Sequence, residues 1–469
     1  MYLLSRFKLW FFNVEEKKIY LSKQSIKRSK QKNLSIIQCP HDLLFFYKFR
    51  EIIVNENNTR FEGISPNLSY VPFVYWIFII PKLIKKFHHL MIRRKWKKIY
   101  SKLGIKNFFH PMNLSINKKI KNFILAINYF RSLKNKKQLL EHRFKKIKCG
   151  DLIYDSYMRF NKKPTVNITN PSLFLFIYDC YNQIEYYTSL TNKYRIKKYF
   201  SSYSTYISHG IPVRVFLEKG IRVFTTGYST LNKLKIKELS RDDPSQVSPH
   251  WNFKKVFKSL KNKDELVKKG LSKLKKRVQG LNDLTYMRIN QYSSSYNSPE
   301  FQNKFDGVVF IGDFFDSQHI YRSIIFNDLY EWLLYTIKFT LDHNLNIGFK
   351  IHPNHLKGSR KILNKIKSKF PQINWIDARV SNKVIFKSGI KFGISVYGSI
   401  LPELAFHKIK PICCGDNPAS GYNFIFEAKN IEDYNDLILN YKSLKFKKNF
   451  KNQLGEFFYM NNIFFSNMR

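Results

Sequence analysis

The 469-residue chain has few cysteines and few acidic residues, and each shortage narrows the class of protein. Its five cysteines are an odd number and form no Cys-x-x-Cys pair. We therefore expect reduced thiols in a cytosolic protein, and no framework of disulfide bonds. The cysteines are Cys39, Cys149, Cys180, Cys413 and Cys414.

The sequence also lacks a clean targeting or membrane-spanning segment. Residues 1–14 include Arg6 and Lys8, so the uninterrupted apolar core of a signal peptide is missing. The most apolar stretch, Leu68–Ile84, contains two prolines and runs into the basic segment Lys82–Lys98. A spanning helix needs about 20 apolar residues. We therefore predict a buried helix or an interfacial element with a basic flank, and a true span is the less favoured alternative.

Acidic residues are scarce, since 33 Asp and Glu stand against 82 Lys and Arg, which gives a formal net charge of +49. Such an excess usually suggests nucleic acid as a partner. Here the lysines are spread through every region, and no zinc-finger, RRM or KH signature is present. We predict no nucleic-acid partner, and expect the charge to attract the anionic surface of the inner membrane. A basic nucleic-acid-binding protein stays open as an alternative.

Two segments about forty residues apart are the most informative part of the chain, and the second has the pattern strand, loop, helix, strand. Lys391–Val396 is short and apolar, as a buried parallel strand would be. Ile400–Phe406 has helical spacing of its apolar residues, and the next strand starts at Ile409. The loop before the helix consists of Tyr397, Gly398 and Ser399. A loop at a helix N-terminus suits a phosphate, and the alternative is a plain turn with a helix cap.

The first segment places a histidine at the end of a predicted strand, Asn344–Ile351. The tripeptide that follows is His352-Pro353-Asn354. A histidine in this position points its imidazole at the edge where parallel sheets bind ligands, and it can hold a phosphate and stabilise a leaving nucleotide. Lys350, two residues earlier, is predicted to project to the same face. A loop histidine with a structural role is the alternative.

Five stretches of the chain together resemble one known family. They are Cys149–Phe160, Tyr206–Phe224, Phe305–Trp332, Gly348–Asn354 and Tyr397–Pro418. The family is that of bacterial surface-polysaccharide glycosyltransferases, which build capsule and O-antigen and have the GT-B fold. The His-Pro step followed by a small-residue loop and a Glu is similar to that of sialyltransferase-like, Kdo-transferase-like and CDP-glycerol-polymerase-like enzymes. The resemblance covers roughly Gly150 to Ala428.

The resemblance implies an α/β protein of the GT-B type, with two Rossmann-like domains facing a cleft and extra helices at both ends of the chain. It implies that the C-terminal domain holds a nucleotide-sugar co-substrate, and that neither a cofactor nor a metal is needed. His352 would contact the donor phosphate, Gly398 and Ser399 would line the phosphate loop, and Glu403 would bind ribose. The remaining donor-binding candidates are Lys350, Pro353, Asn354 and Tyr397.

Inverting transfer also needs a general base near the acceptor hydroxyl. If residues 150–159 are helical, Asp151, Asp155 and Arg159 share one face. By the resemblance we favour Asp155 as the base and place Asp151 second, beside His352 as the third catalytic candidate. The alternative is a surface ion pair.

Further polar residues are predicted to line the cleft. Asp313 follows the predicted strand Gly307–Ile311, so it should lie at the carboxyl edge of the sheet. The spacing of Asp313, Asp316 and His319 does not match a standard metal site. His209 and Arg214 are predicted to face the acceptor, and the alternative is that they are a helix cap and a surface cation. The predicted cleft residues are Asp313, Asp316, His319, Arg159, His209 and Arg214.

The domain boundary is placed in a polar, Ser- and Asn-rich segment, residues 291–304, which has the composition of a linker. Residues 1–290 then form the N-terminal acceptor-side domain, with basic helical insertions. Residues 305–432 form the donor domain, and residues 433–469 are expected to be helices that pack back on the first domain.

Together these features predict a cytoplasmic glycosyltransferase that can attach to the cytoplasmic face of the inner membrane. Its donor would be a nucleotide-activated sugar, with a CMP-sugar favoured. Its acceptor would be a growing surface polysaccharide or a lipid-linked glycan. The alternatives are a CDP-glycerol-type enzyme that transfers a polyol phosphate, and the basic nucleic-acid-binding protein.

Overall fold

The computed structural model describes residues 14–21, 33–56, 59–64, 94–226, 236–247, 250–281, 292, 304–321, 324–355 and 357–464. The chain divides into two compact units. Unit 1 comprises Met1–Phe160, Val166–Tyr228 and Leu234–Gln246. Unit 2 comprises Asn161–Thr165, Ser229–Lys233 and Val247–Arg469.

Unit 1 is built on a sheet with six strands in the described residues, in the order β3-β2-β1-β6-β7-β8. The strands of this part of the chain are β1 (Asn33–Gln38), β2 (Thr59–Ile64), β3 (Phe108–Phe109), β4 (Arg143–Phe144), β5 (Ile147–Lys148), β6 (Ile196–Ser201), β7 (Arg222–Thr225) and β8 (Lys237–Leu239). Neighbours in the sheet are parallel, except that β8 runs antiparallel to β7. Strands β4 and β5 form a separate hairpin.

Helices cover both faces of this sheet. They are α1 (Val14–Leu21), α2 (Leu43–Asn55), α3 (Ile116–Ser132), α4 (Lys136–Leu140), α5 (Gly150–Asn161), α6 (Pro171–Lys193) and α7 (Ile211–Glu218). Residues 94–101 are also helical. Ile36 and Ile37 are adjacent on β1 and point to opposite faces. Ile36 packs in a core with α5, α6 and α7, while Ile37 packs with α2 and the helix at 94–101.

Unit 2 contains a second sheet with six strands in the described residues, in the order β11-β10-β9-β12-β13-β14, and every pairing is parallel. Its strands are β9 (Gly307–Phe310), β10 (Ile347–Lys350), β11 (Asn374–Ile376), β12 (Phe392–Ile394), β13 (Lys410–Cys413) and β14 (Phe426–Glu427). Val308 and Val309 on β9 point to opposite faces and belong to two separate cores. Both faces are therefore covered, as a parallel sheet requires.

The helices of unit 2 pack on the two faces of this sheet. They are α8 (Phe253–Ser259), α9 (Lys263–Val278), α10 (Leu329–Asp342), α11 (Lys357–Lys369), α12 (Asn382–Lys387), α13 (Ile400–Phe406), α14 (Ile431–Leu439) and α15 (Phe450–Tyr459). One core includes side chains of α8, α9, α13 and α15, and the other includes side chains of α10, α11 and α14.

The two sheets have the same connectivity. Numbered within each unit, both have the strand order 3-2-1-4-5-6 of the doubly wound Rossmann fold. The predicted α/β class with two Rossmann-like domains is therefore confirmed. In such sheets, ligands bind outside the carboxyl ends of the strands where the order reverses. That point lies between β1 and β6 in unit 1, and between β9 and β12 in unit 2.

The division of the chain differs from the boundary placed at residue 290. Helices α8 and α9 belong to unit 2, although the sequence placed them in the first domain. The reason is the packing of α9 on α15, where a Cβ on Gly270 would lie 2.0 Å from the carbonyl oxygen of Gly455. Both helices share a core with α13, so α15 belongs to unit 2 as well. The expected packing of residues 433–469 on the first domain stays a prediction.

Two sequence predictions fall mostly on residues outside the described part of the chain. They are the apolar stretch Leu68–Ile84 and the linker 291–304, of which the structure describes only Tyr292 and Lys304. In the described ranges, no helix combines the length and apolar character that crossing a membrane requires. All five cysteines are free and buried.

Candidate active site

The carboxyl ends of β9, β10 and β12 bring several predicted site residues to one edge of the unit 2 sheet. His352 follows β10, Asp313 follows β9, and Tyr397 follows β12. Strands β9 and β12 are joined at this edge by Ser395, whose hydroxyl donates to the carbonyl oxygen of Phe310 at 3.3 Å. The predicted juxtaposition of the two motifs is therefore present, at the point where the strand order reverses.

His352 is held in one tautomer at this edge. Its Nδ1 accepts a hydrogen bond from the backbone N–H of Asn354 at 3.1 Å, so the neutral ring carries its proton on Nε2. Burial, together with the nearby charges of His355 and Lys350, lowers the pKa of His352 to about 4. At neutral pH the ring is an uncharged N–H donor, which suits a phosphate oxygen.

Lys350 is held by the backbone near the end of β10. Its ammonium donates to three backbone carbonyls, those of Ile351 at 3.2 Å, Asp377 at 3.0 Å and Ala378 at 2.8 Å. Burial lowers its pKa to about 7. Strand β10 ends at Lys350, so the strand alternation that would align it with His352 does not extend that far, and the donor-binding role of Lys350 stays a prediction. Lys350 ties the end of β10 to the turn after β11.

The loop after β12 is exposed at its tip. Gly398 has φ +132°, a conformation that glycine adopts at little cost, and both Gly398 and Ser399 are exposed. The Ser399 side chain makes no capping hydrogen bond to α13. The ring of Tyr397 lies 5.3 Å from that of Tyr321, measured between centroids. The loop therefore offers accessible backbone beside a small aromatic surface.

Both carboxylate oxygens of Glu403 accept hydrogen bonds from other side chains of unit 2. Arg277 Nε of α9 donates to its Oε1 at 2.8 Å, and the hydroxyl of Tyr292 donates to its Oε2. The side chains of Arg277 and Glu403 are only 6% and 4% exposed. We name these three residues the Glu403 clamp. Sequence reasoning missed it because its members come from segments more than a hundred residues apart.

Asp313 stabilises the loop that follows β9. Its Oδ1 accepts hydrogen bonds from the backbone N–H of Phe315 at 2.8 Å and from the hydroxyl of Ser359 at 3.0 Å. Ser359 lies in the first turn of α11, so the carboxylate sits near a helix N-terminus, where negative charge is favourable. Asp313 therefore lies at the predicted edge of the sheet, but its Oδ1 accepts hydrogen bonds from the loop and from α11.

Asp316 and His319 belong to the same loop. Asp316 Oδ1 accepts from the backbone N–H of Ser317 at 3.1 Å, and His319 Nε2 lies 3.0 Å from the carbonyl oxygen of Asn327. Across the described residues, no group of three or more His, Cys, Asp or Glu side chains is arranged to hold a metal ion. Neither residue gains a ligand-binding role from these contacts.

His355 was missed at the sequence level, although it follows His352 by three positions. Its Nε2 lies 3.0 Å from the carbonyl oxygen of Gly312, to which it donates. Its Nδ1 is buried without a hydrogen-bond partner among the described residues. The rings of His352 and His355 are 5.7 Å apart. The sequence does contain a signal for this residue, since a second histidine follows the His-Pro-Asn tripeptide.

In unit 1 the predicted helix is present as α5, but Asp151 is held in an ion pair. Arg214 of α7 donates from Nη1 and Nη2 to both carboxylate oxygens of Asp151, each at 2.6 Å. This bidentate geometry occupies the carboxylate and links α5 to α7. Asp155 is buried on the same helix and Arg159 is half-buried. The assignment of Asp155 as the base stays a prediction.

The edge of the unit 1 sheet where the strand order reverses contains His209. Gln38, the last residue of β1, accepts from the backbone N–H of Ser202 at 3.1 Å through Oε1. Nδ1 of His209 lies 2.9 Å from the same oxygen. Since a carbonyl oxygen only accepts, Nδ1 carries the proton and Nε2 has the lone pair. In the described part of the chain Nε2 has no hydrogen-bond partner, and the side chain is only partly buried.

The turn that presents His209 is locally strained. Residues Tyr206–Gly210 form a π-helical turn, and Tyr206 has φ +58°. Such conformations cost energy and persist where the surroundings enforce them. Here the backbone N–H of Ile207 donates to the hydroxyl of Ser156 on α5 at 2.9 Å. The α5 segment, chosen for its aspartates, therefore positions the histidine turn.

Acid is expected to destabilise the fold through three partly buried histidines. Burial lowers the pKa of His142, His209 and His352 to about 4. Unfolded histidine titrates near 6.5. Between these two values the unfolded chain binds more protons, so stability falls as the pH drops from about 6.5 to 4.

The effect is measurable as the difference between two proteins. His142→Gln should lower the melting temperature at pH 7, because the hydrogen bond between Nε2 and the Tyr181 hydroxyl at 2.7 Å is lost. Between pH 7 and 4.5 the variant should then lose about 2 kcal/mol less stability than the wild type. Equal losses in both proteins would contradict a depressed pKa at His142.

Comparisons with known proteins found similar solved structures, among them three at low sequence identity. No protein-family model matches the chain, and no curated protein matches it. It is similar to KpsC, a beta Kdo 2,4 transferase of Thermosulfurimonas dismutans, with 14% identity, a TM-score of 0.35, and coverage of 55% of this chain and 78% of that one. It is similar to UDP-GlcNAc 2-epimerase of Neisseria meningitidis bound to UDP-GlcNAc, with 9% identity, a TM-score of 0.25, and coverage of 92% and 98%. It is also similar to Anabaena Alr3699/HepE in complex with UDP, with 7% identity, a TM-score of 0.28, and coverage of 93% and 97%.

Proposed function

We propose that the protein is a glycosyltransferase that moves a sugar from a nucleotide-activated donor to a growing surface polysaccharide or a lipid-linked glycan. The observation that carries this proposal is the imidazole of His352, which Asn354 holds with its proton on Nε2 at the ligand-binding edge of a Rossmann sheet. A CMP-sugar is the favoured donor, because the His-Pro step resembles that of enzymes that use such donors.

Unit 2 supplies the donor site in this proposal. Nε2–H of His352 donates to a phosphate oxygen of the donor and stabilises the charge that the nucleotide gains as it leaves. The exposed backbone at Gly398 and Ser399 lets a phosphate approach closely, since glycine has no side chain to exclude it. Lys350 and Glu403 are left out of the donor site, because their polar atoms are committed to internal hydrogen bonds.

Unit 1 supplies the general base, and His209 takes this role in place of Asp151. Nε2 of His209 accepts the proton of the acceptor hydroxyl while the hydroxyl oxygen bonds to the anomeric carbon of the donor. The bond between that carbon and the phosphate oxygen breaks, and its electron pair leaves with the nucleotide. Gln38 keeps the proton on Nδ1, so the lone pair that accepts the new proton is on Nε2. Asp155 is the other candidate for the base.

The donor site is tested by thermal unfolding of the purified chain with CMP, CDP, UDP and GDP. A nucleotide at a hundred times its dissociation constant should stabilise the protein by about 2.7 kcal/mol. His352→Ala should remove this stabilisation. His343→Ala is the matched control in the same unit. The His343 ring contacts the carbonyl oxygen and the ring of Phe339 at the end of α10, so this variant should leave the shift intact.

The outcomes separate the competing functions. Stabilisation by one nucleotide that His352→Ala abolishes and His343→Ala preserves would support the donor site and name the donor class. A phosphodiester in the reaction product would instead mean transfer of a polyol phosphate. If no nucleotide stabilises the folded protein, the glycosyltransferase proposal fails.

A further inference from the structure

Helix α3 presents an apolar stripe to solvent. Only Asn122 and Ala126 of this 17-residue helix are buried. Asn122 faces α6, where its amide donates to Asn182 Oδ1 at 3.0 Å. By contrast, five large apolar side chains of α3 are exposed. Ile116 at 72%, Ile120 at 55%, Phe123 at 41% and Ile124 at 52% lie on one side of the helix, and Leu125 at 37% lies on another.

Ile116, Ile120, Phe123 and Ile124 form one continuous stripe, which we call the α3 stripe. Their positions i, i+4, i+7 and i+8 place them on a single face of a helix with 3.6 residues per turn. Phe123 at one border also contacts Phe174, with ring centroids 5.1 Å apart, so this side of the stripe rests on α6. Ile120 and Ile124 face solvent. An isolated exposed isoleucine needs no explanation, but a helical row of them marks an interaction site.

The charges around the α3 stripe indicate what covers it. The sequence from Gly63 to Leu140 contains 17 Lys and Arg residues and no Asp or Glu. Within and just after α3 the cations are Lys118, Lys119, Lys121, Arg131, Lys134, Lys136 and Lys137. Lys121 and Arg131 are exposed on the helix itself. An apolar row with cations on its flanks is the pattern of a helix that lies in the interface of an anionic membrane.

We propose that the α3 stripe docks on an anionic lipid bilayer, with Ile120 and Ile124 entering the boundary between headgroups and acyl chains. Lys121 and Arg131 then contact lipid phosphates, since long cationic side chains reach the headgroups while their stems cover apolar surface. A second copy of the chain fits less well, because it would bring an equally cationic surface to the contact. Nucleic acid would engage the cations but leave the isoleucines exposed. The proposal stands independently of the glycosyltransferase assignment.

The test is co-sedimentation of the full chain with phosphatidylcholine vesicles that contain or lack phosphatidylglycerol. The wild type should bind the anionic vesicles, with much weaker binding to pure phosphatidylcholine. Ile120→Asp/Ile124→Asp should bind at least about tenfold more weakly, because two apolar side chains no longer leave water. All four positions changed in the test and its control are exposed, so the variants should keep the wild-type melting temperature.

The matched control is Ile431→Asp/Leu439→Asp on α14, where the two side chains are 37% and 43% exposed. It adds the same two negative charges and should bind as the wild type does. Ile120→Ser/Ile124→Ser, which leaves the charge unchanged, should also bind more weakly. Equal loss in the α14 control, or wild-type binding by the serine variant, would overturn the proposal. Self-association abolished by the α3 variants, without vesicle binding, would make the stripe an interface between copies and also overturn it.

Discussion

Replacing His209 with alanine is expected to lower kcat for sugar transfer by about 10²- to 10⁴-fold, the usual contribution of a general base. Stabilisation by the donor nucleotide should remain, because His352 and Asn354 belong to unit 2 and are unchanged. The measurement is a steady-state assay at saturating donor, with the thermal shift run beside it. A fall in kcat without loss of nucleotide binding separates a missing base from a damaged donor site.

Imidazole in the assay buffer should restore part of the activity of His209→Ala, since it can occupy the space of the missing ring and accept the same proton. His142→Gln is the matched control in unit 1. Burial lowers the pKa of both histidines to about 4, but Nε2 of His142 already bonds to Tyr181. Imidazole should not change the rate of this control.

Two results would show that His209 is not the general base. The first is a wild-type kcat in His209→Ala. Loss of activity in Asp155→Asn, with imidazole having no effect on His209→Ala, would return the role to the carboxylate that the sequence favoured. Because Asp155 is buried on α5, the stability of its variant has to be measured alongside the rate.

Breaking the Glu403 clamp should cause the largest loss of stability. Glu403→Leu leaves the guanidinium of Arg277 buried without its counter-ion, and breaking such a pair costs about 3–5 kcal/mol. The measurement is the free energy of unfolding from urea denaturation. Arg277→Met/Glu403→Leu should recover most of the loss, since neither charge then remains buried.

The same helix offers a control pair. Glu265 and Lys269 form an exposed ion pair on α9, and Glu265→Gln should leave the denaturation midpoint unchanged. If Glu403→Leu denatures like the wild type but no longer responds to nucleotide, the clamp interpretation is wrong. The ribose-binding role predicted from the sequence would then be correct.

Local patterns in the sequence predicted the main elements of the unit 2 edge. The strand before the His-Pro step was expected at Asn344–Ile351 and is present as Ile347–Lys350. The helix after the Tyr-Gly-Ser loop has the expected bounds, Ile400–Phe406. Both depend on apolar runs and turn residues that are close together in the chain, so a single sequence is sufficient to find them.

The partners of polar side chains could not be predicted in this way. Glu403 reaches Arg277 across 126 positions, and His209 reaches Gln38 across 171. Such pairs form only when the sheet order and the helix packing are known. Asp151 shows the consequence, because a helix at 150–159 was considered from the sequence while its partner on α7 was not found. The sequence therefore identified candidate catalytic and binding residues. Only the fold shows which of them are already held by hydrogen bonds or ion pairs to other side chains.

The close packing of α9 on α15 has a consequence for synthesis on the ribosome. Gly270 contacts Gly455, and Arg277 needs Glu403, so α9 emerges well before the residues that bury it. At about 5–20 residues per second, the roughly 180 residues between the two glycines take about 10 to 40 seconds to translate. During that interval α9 lacks α15, and the apolar surface that α15 will cover is open to chaperones. Slow translation of this region would lengthen the exposure and favour aggregation of the nascent chain.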